Sequence, residues 1–145
     1  MVFNSILVVC VGNICRSPTG AAMLRNLLPD KKISSAGISA VVGHDVDPMA
    51  RRVAELHGLS IEPHSAQQLT SSICNEFDLI LVMEKKHIEA VSEISQSSRG
   101  KTMLFAHWLD KRDIDDPYRK SQEAFEHVYQ LMFQSAEKWA KLLGS

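Results

Sequence analysis

The sequence predicts an α/β fold: a doubly wound, four-stranded parallel sheet with helices on both faces. Three observations lead there. Strand-like apolar runs alternate with helix-like amphipathic segments along the 145 residues, the pattern of right-handed βαβ units. Two of the runs, SILVVCV (5–11) and FDLILVM (77–83), are almost unbroken in apolar residues, as strands covered on both faces must be. The first run passes straight into a helix through a short loop of mostly small residues, CVGNICRSP.

Each element has a local reason. SPTGAAMLRNLLP (17–29) reads as the first helix, with Ser17 as its N-cap and Pro18 at its first position. KISSAGI (32–38) is a short second strand, and DPMARRVAELHG (47–58) is a helix that stops at Gly58. After the strand at 77–83, EKKHIEAVSEIS (84–95) is amphipathic, and KTMLF (101–105) is the fourth strand. AHWLDKRDIDDPYRK (106–120) is a polar loop. SQEAFEHVYQLMFQSAEKWAKLL (121–143) is a long helix whose apolar stripe includes Phe125, Val128, Met132, Ala136 and Trp139. No repeat or linker interrupts the series, so one domain over 1–145 is expected.

Composition narrows the function. The formal net charge is −1, so nothing favours nucleic acid or an anionic membrane as the main partner. The opening MVFNSILVV has no basic segment before its apolar run, and reads as strand rather than leader. No run approaches the roughly 20 apolar residues that a bilayer requires. A cytoplasmic protein without membrane insertion is expected. Cys10, Cys15 and Cys74 are too few and too odd in number for a disulfide framework; Cys74 reads as a small buried hydrophobe. Six scattered histidines show no ligand spacing, so neither metal nor other cofactor is expected.

In doubly wound sheets, ligands bind beyond the carboxyl ends of the strands. The loop after the first strand holds C-x5-R-S, from Cys10 to Arg16 and Ser17. Five intervening residues let the chain curl into a cup whose N–H groups turn inward, with a helix N-terminus behind them. Gly12 gives the backbone freedom that such a nest needs. Arg16 can fork across two oxygens of a tetrahedral anion. Those same positive groups favour the thiolate of Cys10, which lies beneath any bound phosphoryl group. Ser17 is placed to hydrogen-bond the sulfur. Cys15, on the same curl, is placed to capture an oxidised Cys10 as a disulfide. No nucleotide-binding G-x-x-x-x-G-K-[ST] occurs.

C-x-G-N-x-C-R-S-P at this junction, with DDPY at 115–118, resembles the low-molecular-weight protein tyrosine phosphatase family over nearly the whole chain. The resemblance implies that family's Rossmann-like fold. It makes Cys10 the nucleophile, Arg16 the phosphate-binding arginine and Asp116 the general acid. The phosphate loop is then Val11, Gly12, Asn13, Ile14 and Cys15 with Ser17. Asn13 would be braced by Ser35 and His64, and Val41 and Tyr118 would form substrate walls. Glu84 matches an acidic residue near the rim. Chemistry independently asks for one carboxyl group that protonates the leaving phenolate and then activates water. Pro117 biases Asp116 to an extended backbone, and Asp115 is its competitor. Two family positions differ here: Ala21 stands for a glutamate and Gln67 for an arginine.

The aliphatic segment ISAVVGHD (38–45) resembles the bacterial branch. That implies a phosphotyrosine protein as substrate, a membrane-anchored tyrosine autokinase of exopolysaccharide or capsule assembly. A monomer is expected. Three rivals remain. A protein arginine phosphatase of the same fold carries threonine where this chain has Ile14. A thiol-coupled arsenate reductase needs further neighbouring cysteines. A non-catalytic phosphate-binding module leaves the nucleophile and acid pair unexplained.

Overall fold

A computed structural model of the protein describes residues 3–144. Four strands form one sheet in the order β2-β1-β3-β4, all parallel. They are β1 (Ser5–Cys10), β2 (Lys32–Gly37), β3 (Leu79–Val82) and β4 (Thr102–Leu104). The helices are α1 (Arg16–Leu27), α2 (Pro48–Leu56), α3 (Ser71–Asn75), α4 (Lys85–Ile94) and α5 (Gln122–Leu143). A 3-10 helix over Gln96–Lys101 leads into β4. The doubly wound four-stranded sheet expected from the sequence is the one observed. Among the described residues, no helix is long and apolar enough to cross a membrane.

Period-two alternation divides the sheet between two cores. Ile6, Val8 and Cys10 face the core that α1, α2 and α5 cover, while Leu7 and Val9 face a second one with Ile80, Val82 and Val91. All six residues of β1 are buried. Because β1 has β2 on one side and β3 on the other, its carboxyl end lies at the switch point. Trp139 pins α5 by donating from Nε1 to the Phe105 carbonyl at 2.8 Å. α1 approaches this layer closely at Gly20, where a Cβ would sit 3.1 Å from both Phe105 and Met132. The missing side chain that costs helix propensity there is what lets the layers meet.

Several local expectations change. Ser17 does not cap α1: Cys15 occupies the N-cap, Ser17 is the second helical residue, and Pro18 is the third rather than the first. The reason is that the Ser17 hydroxyl turns toward Cys10 instead of the helix backbone. Pro18 is still tolerated, since first-turn N–H groups have no intrahelical partner. α3 was not expected; five residues carry no periodic signal, although Thr70 caps it through Ile73 N–H. The 3-10 segment was missed for the same reason. By contrast, α2 starts where expected, with Asp47 accepting from Met49 and Ala50 and Pro48 at the first position. Gly58 then adopts φ +80, a left-handed helix stop.

Candidate active site

Cys10 is the last residue of β1, and the chain from 11 to 15 curls before entering α1 at Arg16. The scaffold suspends this curl by its carbonyls. Cys10 O accepts from Ile38 N at 3.0 Å, Val11 O from Ser39 N at 2.9 Å and Gly12 O from Val41 N at 3.0 Å. Asn13 O meets His64 Nε2 at 2.7 Å. Ile14 O accepts from Asp47 N at 2.8 Å, and Cys15 O from Thr19 Oγ1 at 2.8 Å. The N–H groups of Gly12, Asn13, Ile14 and Cys15 find no acceptor among the described residues. Six carbonyls are thus taken while successive donors stay open, the arrangement an oxyanion requires.

Asn13 holds the curl at φ 59, a conformation in which asparagine is among the better tolerated side chains. Its buried amide donates from Nδ2 to Ser17 Oγ at 2.8 Å and Ser35 Oγ at 2.9 Å. Its Oδ1 accepts from Gln67 N at 2.9 Å. Ser35 and His64 therefore both reach Asn13. Gln67 does too, and its side chain also donates to Ser35 O at 2.8 Å. Gln67 is thus built into the brace. Gly37 completes the support, because a Cβ there would lie 2.5 Å from Val11 O. Asn13→Ala is expected to cost about 2–4 kcal/mol in urea unfolding, since it strands several buried partners and leaves alanine left-handed.

Inside the curl, Cys10 Sγ lies 2.9 Å from Ser17 Oγ. Arg16 is buried, and its Nη1 donates to Glu84 Oε2 at 2.7 Å and Ile114 O at 2.8 Å. Both Nη1 hydrogens are thereby used. Nη2 lies 3.7 Å from Asp116 Oδ2, so this second arm is directed toward the loop after β4. Asp116 accepts from Tyr118 N through Oδ1 at 3.0 Å, a turn that sets the carboxylate beside Pro117. Arg119 lies over the Tyr118 ring, 5.2 Å from its centroid. Cys10, Arg16 and Asp116 line one cavity of about 210 Å³, with Ile14, Val41 and Tyr118 among its walls. Ser39 also lines it, which the sequence reading did not anticipate.

Glu84 lies beneath the arginine rather than only near the rim. Burial pushes its carboxyl up, but the Arg16 hydrogen bond and charge, with His87 and Lys86, outweigh this and hold it below the ordinary glutamate value. Burial and the Arg16 and Lys86 charges hold His87 below the usual histidine value, against the pull of Glu84 and Asp113. Cys15 is buried, and desolvation, then the charges of Asp47, Cys10 and Asp116, push its thiol well up despite Arg16. It faces both the cup and a small void behind it lined by Thr19, Val53 and Pro117. Cys74 is a buried free thiol in the second core. Among the described residues, no three His, Cys, Asp or Glu side chains are grouped to hold a metal ion.

The description "Low molecular weight phosphotyrosine protein phosphatase" belongs to a family model that matches residues 5–145. The chain belongs to this family. This phosphatase is 56% identical to the probable low molecular weight protein-tyrosine-phosphatase AmsI of Erwinia amylovora, over 97% of this chain and 98% of that one. It is 52% identical to the low molecular weight protein-tyrosine-phosphatase Wzb of Salmonella typhimurium, over 99% of this chain and 96% of that one. Among solved structures, Vibrio vulnificus Wzb in complex with benzylphosphonate superposes with a TM-score of 0.96 at 54% identity, covering 97% of this chain and 99% of that one. The enzyme is a low molecular weight protein-tyrosine phosphatase of the type represented by these bacterial relatives.

Proposed function

We propose that this phosphatase hydrolyses phosphotyrosine through a phosphocysteine intermediate, on a membrane-anchored tyrosine autokinase that controls exopolysaccharide production. The observation that carries the chemistry is the suspended loop that follows Cys10, whose carbonyls are occupied and whose donors at 12–15 are open. Those donors and Arg16 Nη2 cradle the dianion. Cys10 Sγ attacks phosphorus as the bond to the phenolic oxygen breaks, and Asp116 delivers a proton to that oxygen. Ser17 stabilises the thiolate before attack and after its departure. Water, deprotonated by Asp116, then attacks phosphorus. The S–P bond breaks, and inorganic phosphate leaves with the thiolate restored. Loop dipoles and Arg16 serve where other phosphoryl-transfer enzymes use cations.

An aromatic ester suits the site. Ile14 and Val41 offer apolar wall, and Tyr118 a ring. Ile14 has no hydroxyl with which to position the water of the second step, and its bulk suits an aromatic ring. Benzylphosphonate, the ligand of Vibrio vulnificus Wzb, is itself a tetrahedral phosphorus dianion on an aromatic group. The enzyme works in the cytoplasm as a single-domain monomer, without cofactor. Turnover of phosphotyrosyl peptide, phosphoarginine and arsenate by one preparation tests this reading. Phosphotyrosine is expected to be preferred over phosphoarginine by about 100-fold in kcat/KM. A preference for phosphoarginine, or thiol-dependent arsenate reduction, would overturn it. Dephosphorylation of the autokinase's tyrosine-rich tail tests the biological assignment separately.

A further inference from the structure

Among the described residues, one buried side-chain polar atom has no hydrogen-bond partner, and it lies behind the cup: Nε2 of His87. His87 is the third residue of α4 and is 3% exposed. Its other ring nitrogen, Nδ1, accepts from Glu84 N at 3.3 Å. A ring nitrogen that accepts carries no proton, so the neutral imidazole is protonated at Nε2. That N–H comes within 3.4 Å of Glu84 Oε2. The same oxygen takes Arg16 Nη1 at 2.7 Å.

We propose that His87 is a positioning residue for phosphate recognition, acting through Glu84 on the guanidinium of Arg16. Leaving a buried N–H unpaired costs about 1–3 kcal/mol, so its place beside this oxygen requires a reason. Glu84 and a bound phosphoryl dianion compete for one guanidinium. As Arg16 shares its charge with phosphate, Oε2 loses part of its donor. Nε2–H is the buried donor within reach to replace it. Lys86 lies on the other carboxylate oxygen, 3.6 Å from Oε1, with most of its side chain in water. A donor on Oε2 weakens the back-side pull of the carboxylate. The guanidinium can then give more of its charge to an anion held at Nη2. His87 touches neither substrate nor reacting atoms. The inference rests on the assignment of Arg16 as the phosphate-binding group.

Two substitutions separate the two ring nitrogens. His87→Asn keeps an acceptor near the Nδ1 position and hence the bond to Glu84 N–H, but has nothing at Nε2. His87→Gln places an amide N–H donor near the Nε2 position. Inorganic phosphate binding is measured by calorimetry on the full chain, with melting temperature alongside. His87→Asn is expected to weaken phosphate binding about tenfold with its melting temperature near that of wild type, and His87→Gln is expected to restore most of the affinity. In a Glu84→Gln background, His87→Asn is expected to add little further loss. Phosphate affinity unchanged in His87→Asn overturns the inference, as does an equal loss in His87→Gln or full additivity with Glu84→Gln. Phosphate binding is read without turnover. Failure of the catalytic reading would instead appear as absent aryl phosphate hydrolysis by the wild type.

Discussion

Cys10→Ser is expected to lower kcat by about 10,000-fold or more, while inorganic phosphate still binds. The hydroxyl is a far weaker nucleophile than the thiolate, and Asp116, which must carry a proton to the leaving phenolate in this step, is not free to take one from it. Ser17 is a hydrogen-bond partner at 2.9 Å, not a base. The cradle itself depends on carbonyl contacts from residues 38, 39, 41, 47 and 64 and on the Thr19 hydroxyl, none of which the substitution touches. Steady-state kinetics on phosphotyrosyl peptide, with calorimetric phosphate binding, checks both halves. Persistent turnover in the serine variant would remove Cys10 as nucleophile.

Asp116→Ala is expected to lower kcat by about 100- to 10,000-fold, and Asp115→Ala to leave it within a few-fold. Asp116 lines the cavity and lies 3.7 Å from the Arg16 arm. Asp115 is exposed and is not part of that lining. An aryl phosphate with a strongly acidic leaving phenol should lose much less with Asp116→Ala, because its phenolate departs without a proton. The same comparison in Asp115→Ala should show no such dependence. The reverse pattern would transfer the acid role to Asp115.

The sheet and the cup were legible in the sequence because their signals are local. Unbroken apolar runs marked β1 and β3, and C-x5-R at a strand–helix turn marked the loop that curls from Cys10 into α1. What supports the loop was not legible from local pattern. Ser35, His64 and Gln67 lie 22, 51 and 54 residues from Asn13 along the chain. Ser35 and His64 came from family resemblance, and Gln67 read only as a lost arginine. Glu84 was visible as a carboxylate after a strand, but Arg16, which it holds, is 68 residues from it, and the Ile114 carbonyl that shares Nη1 is 98 residues from Arg16. Helix rules misplaced Ser17 for a related reason. A serine at a helix start has two uses, and only the fold shows that its hydroxyl serves Cys10.

The suspended loop also has a kinetic meaning. Its carbonyl partners come from chain segments far apart in sequence, and closing the segment between Asn13 and His64 carries the entropy of a loop of about fifty residues. Helices and the β1–β2 pair can form before that closure, from contacts nearer in sequence. The phosphate-binding shape cannot, because its left-handed residue is stable only once those distant partners have docked. In a refolding chain, recovery of oxyanion affinity therefore follows that closure and not the first appearance of secondary structure.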